Sequence, residues 1–170
     1  MMRAKGAAMA DVTGVLDKAG IDYEVLEHAH TERAADEAAA LGVAPEEVAK
    51  TLVLATPVGN LNLRAVLPAS ERLDLPKLAD LLEVAHKKLR LATEDDLKRD
   101  YPDFDLGAVP PFGGKEGDRV IVDSRLAARD SVVLEAGSHE RSVRLKAADL
   151  VRLTGAQVAD ICKEEERTAG

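Results

Sequence analysis

Aromatic side chains are nearly absent: the chain has no tryptophan, and Tyr23, Tyr101, Phe104 and Phe112 make up 2% of its 170 residues. Four scattered rings cannot build a stacking platform for single-stranded bases. Cysteine is equally scarce. Cys162 stands alone, which excludes an internal disulfide and a multi-cysteine zinc site, and its place beside an acidic tail speaks against a nucleophilic role. Positive charge is in deficit. A net charge of −8 argues against a surface that grips nucleic acid over a long stretch, because such binding neutralises many phosphates with Lys and Arg. A small, local phosphate contact stays open. Long apolar runs are missing too: 52–55 and 132–134 fall far short of the roughly twenty residues that span a bilayer, so no transmembrane helix is expected. Residues 1–10 carry Arg3 and Lys5 but no apolar stretch of signal-peptide length, so the expected compartment is the cytoplasm.

Signature motifs of several enzyme classes are lacking as well. No glycine-rich nucleotide fingerprint follows a strand, so a dinucleotide or ATP enzyme is not expected. No serine sits in a nucleophile elbow, and His28, His30, His86 and His139 lack the helical spacing of a zinc protease. His28 and His30 would share one side of a strand, but nothing elsewhere completes a ligand set, so neither a metal nor a cofactor is expected.

What is present is an ordinary globular balance, 46% hydrophobic and 32% charged, at a length suited to one domain. The expected domain spans 11–162, with 1–10 and 163–170 as flexible tails. Patterning predicts a helix over 11–19 and a strand over 23–27, then an alanine-rich helix over 34–41 that Thr31 can cap and Gly42 can end. Pro45 opens a short helical turn with Glu46 and Glu47 in its favourable first turn. Strands over 51–56 and 61–67 flank Pro57-Val58-Gly59-Asn60, a strong turn signal, and predict a hairpin. Helices follow over 75–84, with Asp74 as cap, and over 93–99, with Thr93 and Asp96 spaced as a capping box. Between them His86-Lys87-Lys88-Leu89-Arg90 is the compact basic cluster of an acidic chain. The loop 107–114 pairs two prolines with three glycines, which holds its backbone groups rigidly. Strands over 120–123, 131–136 and 142–145 and a closing helix over 147–153 complete a mixed rather than regularly alternating parallel sheet.

Lys50 is the residue expected to carry chemistry. It stands at the far end of the Pro45 turn, at the mouth of the apolar run Thr51-Leu52-Val53-Leu54, where a lysine costs free energy unless it is paired or used. The solvated alternative is a helix-terminal lysine favoured by the helix dipole. Asp123 reads equally as a strand-end turn former, and His139 as an exposed turn residue.

The ordered series His28, Leu41-Gly42-Val43, Val48-Ala49-Lys50-Thr51-Leu52, Val66-Leu67-Pro68-Ala69 and Leu73-Asp74-Leu75-Pro76-Lys77 resembles the YbaK/prolyl-tRNA-synthetase-associated editing domain. Gly107 and Pro111 stand at the two defining positions of that family's Gly-x-x-x-Pro loop, Val120-Ile121-Val122-Asp123 resembles its late strand, and Glu135-Ala136-Gly137 its closing glycine turn. The resemblance covers roughly 12–160 and implies a mixed α+β fold, a curved, partly closed mixed sheet flanked by helices. It also implies a free-standing, trans-acting hydrolase that cleaves the ester of a small mischarged amino acid, of the Cys, Ala, Ser or Thr class, on tRNA.

Carried over residue by residue, the resemblance implies Lys50, Gly107 and Pro111 as catalytic. Thr51, Ala108, Val109, Asp123, Gly137 and His139 would bind substrate. Lys50 would contact the terminal phosphate, ribose or carbonyl oxygen, the 107–111 backbone would hold the α-amino group or a water, and a tRNA ribose hydroxyl would help to activate that water. The cluster gives Lys87, Lys88 and Arg90 as tRNA contacts, with the acceptor end and a synthetase as partners and neither DNA nor membrane. Thr51 tilts away from alanine-specific relatives, which carry asparagine there, and Glu135 replaces the small residue of cysteine-directed members. Two other function classes fit the residues: a non-catalytic module that binds an aminoacyl end or amino acid beside a synthetase, and a Schiff-base enzyme built on Lys50.

Overall fold

The protein is described by a computed structural model that covers residues 6–56 and 62–164. Along the chain run α1 (Gly6–Lys18), β1 (Tyr23–Glu27), α2 (Ala34–Leu41), β2 (Val48–Ala55), β3 (Asn62–Pro68), α3 (Leu75–Leu82), β4 (Arg90–Leu91) and α4 (Glu94–Asp100). Then come β5 (Arg119–Asp123), α5 (Ser124–Ala127), β6 (Ser131–Ser138), β7 (Arg141–Lys146), α6 (Ala147–Thr154) and β8 (Gln157–Ala159). The fold is mixed α+β, as expected. Strand order is β1-β7-β6-β2-β3-β5-β8, with β4 also pairing to β2. Neighbours β1/β7, β7/β6 and β2/β3 are antiparallel, whereas β6/β2, β3/β5 and β5/β8 are parallel. Among the described residues no pairing joins β1 to β8, so the sheet is open.

β3 lies near the middle of the sheet and all seven of its residues are buried. Leu63, Ala65 and Leu67 pack with Leu78 and Ala79 of α3 and with Ile161, while Val66 faces the opposite core with Val53, Val122 and Leu134. Each buried leucine contributes about 1.5–3 kcal/mol, so covering both faces fixes β3 as the scaffold strand. On that second face Val12 and Leu16 of α1 and Leu150 of α6 close over β6 and β7. Ala38 of α2 packs on Val48 and Val133, at the point where β2 meets β6.

Local signals placed most helix ends. Asp74 accepts from the Lys77 amide at 3.0 Å, and Thr93 and Asp96 form the expected capping box. The expected cap of α2 is corrected: Arg33 holds the cap position without a side-chain bond, and the Thr31 hydroxyl lies buried with no hydrogen-bond partner among the described residues. The Pro45 turn is a single 3-10 turn, Pro45–Glu47, and Val48 is already extended. Lys50 is therefore the third residue of β2 and not the end of a helix. The hairpin pairing of β2 with β3 holds from Ala49 opposite Pro68 to Ala55 opposite Asn62, while its expected turn, residues 57–60, lies outside the described residues. Helix α1 begins at Gly6, earlier than residue 11. Segments β4, α5 and β8 were not expected, because two to four residues are too short to show a period.

Candidate active site

The sheet splits between β2 and β6. Their parallel pairing consists of Val48 with Val133 and Ala49 with Leu134, and β4 joins β2 further along, at Leu54 and Ala55. Between these points Lys50, Thr51 and Leu52 border an opening. Beyond its two pairs with β2, β6 shifts register against β7 between Glu135 and Ser138, where Gly137 takes a φ of 82°. A cavity of about 350 Å³ fills the gap. Its walls are Ala49, Lys50, Thr51 and Leu52 of β2, the turn Gly107-Ala108-Val109, residues 32–35 leading into α2, and Glu135 and Ala69.

Successive strand residues point to opposite faces, so Lys50 and Thr51 flank the opening from different sides. Thr51 shares its side with Ala49 and Val53 of one core cluster, and Lys50 shares its side with Leu52 and Leu54 of the other. The Lys50 amine donates to the Glu71 carbonyl in the connection after β3. Half-burial pushes the ammonium pKa down, with Arg72 acting in the same sense and the Glu71 carboxylate against it. A desolvated cation at the rim of a pocket is suited to a phosphate or a developing oxyanion.

Gly107 turns the second wall with a φ of 80°, a left-handed conformation that glycine adopts without strain. Asp105 ties that turn to the bulge: its carbonyl accepts from the Ala108 amide at 3.0 Å, its amide donates to the Gly137 carbonyl at 2.8 Å, and its carboxylate accepts from the His139 amide at 3.1 Å. His139 is buried at 4% exposure, not the exposed turn residue of the alternative reading. Its Nε2 lies 2.6 Å from the Leu106 carbonyl and its Nδ1 lies 3.0 Å from Glu135 Oε2. Burial pushes the Glu135 carboxyl up to about 9, and Glu37, Asp105 and Glu32 add to the rise.

Near Glu135 a second hydrogen-bonded chain runs inward from the surface at Ala29 to the buried Glu37. The Ala29 carbonyl accepts from His28 Nδ1 at 2.7 Å, His28 Nε2 lies 2.9 Å from Ser142 Oγ, and Ser142 is hydrogen-bonded to Glu37 Oε2. Glu37 is fully buried, its Oε1 has no partner among the described residues, and desolvation raises its pKa to about 7.

Residues 28–153 match the family model of the aminoacyl-tRNA editing domain. The chain belongs to that family. Over 154 residues it is 28% identical to the multifunctional Ser/Thr-tRNA deacylase ProXp-y of Escherichia coli K12, covering 88% of this chain and 90% of that protein. Among solved structures it superposes with a TM-score of 0.81 on a candidate trans-editing enzyme for prolyl-tRNA synthetase, at 28% identity over 97% of this chain and 100% of the other. A hypothetical protein, APE2540, gives a TM-score of 0.80 at 26% identity over 90% and 99% of the two chains.

Against this editing-domain frame, the residues singled out in the sequence divide. Lys50, Thr51, Gly107, Ala108 and Val109 meet at the cavity, and Gly137 and His139 stand directly behind its wall. Pro111 does not line it. It borders a separate cavity of about 420 Å³, where Arg64 donates to the Pro110, Gly113 and Lys115 carbonyls. Asp123 is also elsewhere: fully buried, it caps α5 by accepting from the Arg125 amide, accepts from the Ile161 amide and pairs with the Arg125 guanidinium. The basic cluster sits by β4, which joins the far end of β2, five residues and so roughly 17 Å from Lys50. Arg90 is paired with Asp96 there, and His86 with Asp80, while Lys87 and Lys88 are exposed. Missed in the sequence were Asp105, Glu37, Ser142 and Arg64, polar residues whose partners lie far along the chain.

Proposed function

We propose that the chain is a trans-acting aminoacyl-tRNA deacylase that hydrolyses the ester of a small mischarged amino acid, with Ser and Thr ahead of Ala and Cys. The observation that carries this reading is the cavity in the split of the sheet: about 350 Å³, with Lys50 at its rim and the Gly107 turn opposite. That volume suits a small amino acid and leaves the terminal adenosine at the mouth. The Ser/Thr order rests on the related deacylase of Escherichia coli.

An aminoacyl ester is already activated, so the site needs to orient a water and stabilise the charge developing on the carbonyl oxygen. Lys50 supplies the positive charge at the rim, toward the carbonyl oxygen or the terminal phosphate. Backbone groups of the Gly107 turn hold the α-amino group or the water, and Thr51, Ala108 and Val109 shape the wall. A ribose hydroxyl of the substrate assists the water, and among the described residues no serine or cysteine lines the pocket. The thiol of Cys162 is buried, does not line the pocket, and is pushed up to about 12. In this reading Pro111 acts through the rigidity of its loop and Asp123 through the seat of α5. The partners are the acceptor end of aminoacyl-tRNA and a synthetase, in the cytoplasm.

Hydrolysis of a panel of radiolabelled aminoacyl-tRNAs carrying Ala, Ser, Thr, Cys and Pro tests the proposal. Release of one or two amino acids by the protein is expected, with a loss of about 100-fold or more in kcat/KM for Lys50→Ala. Release of none, even with a synthetase added, overturns it in favour of a non-catalytic binding module. The lowered Lys50 pKa also meets one demand of Schiff-base chemistry, but the amine is tied to Glu71 and the family acts on aminoacyl-tRNA. Borohydride treatment in the presence of carbonyl compounds is expected to trap no adduct at Lys50.

A further inference from the structure

Glu135 is the least exposed carboxyl of the pocket wall: its side chain is 10% exposed, against 69% for Glu32, while Arg33 on the opposite side is 79% exposed. Its contact with His139 fixes the protons. The Leu106 carbonyl can accept but not donate, so His139 Nε2, 2.6 Å away, carries a hydrogen. Glu32 Oε2, 3.4 Å from the same nitrogen, is likewise an acceptor. In a neutral imidazole Nδ1 is then the acceptor, and the atom 3.0 Å from it, Glu135 Oε2, must donate. One proton is therefore held between the two side chains. Burial, with Glu37, Asp105 and Glu32 adding to it, raises the hold of the Glu135 carboxyl on a proton. With Oε2 engaged, Oε1 makes no hydrogen bond among the described residues, yet it is not sealed inside the protein. An acceptor oxygen is left on the wall of a pocket sized for a small side chain.

We infer that Glu135 Oε1 reads the side-chain hydroxyl of a seryl or threonyl group, with His139 as the positioning residue that holds the carboxyl in place. This rests on the reading of the pocket as an aminoacyl site. The α-ammonium is common to every aminoacyl ester and cannot discriminate among them, whereas a hydroxyl donates to an acceptor that an alanyl methyl would bury without a partner. A cysteinyl thiol is a weaker donor and falls between. The same carboxyl so accounts for a preference among small amino acids that volume alone separates poorly.

Stable amide analogues test this apart from catalysis: 3′-seryl-, 3′-threonyl- and 3′-alanylamino-3′-deoxyadenosine, titrated into the protein by NMR, alongside hydrolysis of the corresponding aminoacyl-tRNAs. Wild type is expected to prefer the seryl over the alanyl analogue by about tenfold or more. Glu135→Gln is expected to keep that ratio, because its amide NH₂ donates to Nδ1 and its carbonyl oxygen accepts the hydroxyl. Glu135→Leu and His139→Ala are expected to reduce it to about twofold or less, since neither leaves a positioned acceptor. The ratio is the readout, because partial unfolding weakens both analogues alike. A wild type without preference, or a Glu135→Leu variant that keeps it, overturns the inference. Glu135-dependent preference without hydrolysis of any ester supports the inference and removes the deacylase reading; hydrolysis without preference does the reverse.

Discussion

Among the described residues Glu37 is a buried carboxyl with no ion-pair partner, and it shows what that does to stability. Its side chain is fully buried, and desolvation raises its pKa from the ordinary 4.5 to about 7, opposed by the Ser142 bond. Between those two values the folded protein keeps a proton that the unfolded chain has released, so stability falls as pH rises through that window and levels off above it. Glu37→Gln is expected to narrow the difference in unfolding free energy between pH 5 and pH 8 by about 3 kcal/mol at most, measured by urea denaturation at both values. A pH dependence identical to wild type would place the proton elsewhere. Lys50 was legible as a residue, because a lysine among apolar strand residues announces itself. Glu37 was not: it sits in an alanine-rich helix that reads as exposed, and what buries it is Ser142, 105 positions away.

At the level of elements, Arg64 holds the loop after Pro110 to β3. Its guanidinium donates to Asp118 and to three backbone carbonyls, and it is 1% exposed. Arg64→Ala removes the closest cation from the buried Asp118, leaving it the Tyr101 hydroxyl and Lys115 at 3.8 Å, and a loss of about 3–5 kcal/mol in unfolding free energy is expected. Arg64→Lys is expected to recover less than half of it, because a point charge cannot serve the planar fork. Unfolding curves of the two variants decide the matter. Helix ends that depend on neighbours in sequence, such as Asp74 with Lys77 and Thr93 with Asp96, were readable from spacing. The failed cap at Thr31 and the shift of Lys50 into β2 both follow from contacts distant in sequence: the Thr31 amide donates to the His139 carbonyl, and Val48 packs with Ala38 and Val133 as the start of a strand. The pocket itself was invisible, since it arises from where two strands part. No periodicity in either strand records that.

Taken as a whole molecule, an acidic chain must meet an acidic polymer. With a net charge of −8, the grip on tRNA is expected to be confined to few contacts, and the exposed Lys87 and Lys88 precede β4, which joins β2 roughly 17 Å from Lys50. Reversing both charges, Lys87→Glu with Lys88→Glu, is expected to lower turnover of full-length aminoacyl-tRNA about tenfold or more and to leave a minimal aminoacyl-nucleoside within about twofold. Equal effects on both substrates would remove the cluster from tRNA recognition. The family was legible from the order of its motifs, and the mixed sheet from hydrophobic patterning. Which motif residues border the cavity and which serve the frame, as Pro111 and Asp123 do, depended on the folded chain.

Two residue pairs, Val48 with Val133 and Ala49 with Leu134, stitch the β1-β7-β6 half of the sheet to the half containing β2 and β3. The bulge between Glu135 and Ser138 lies in the β6/β7 register beyond those two pairs, so a change in its length would reshape the pocket wall and leave the β2/β3 pairing in step. Such a seam lets one architecture be refitted from one size of amino acid to the next without being rebuilt.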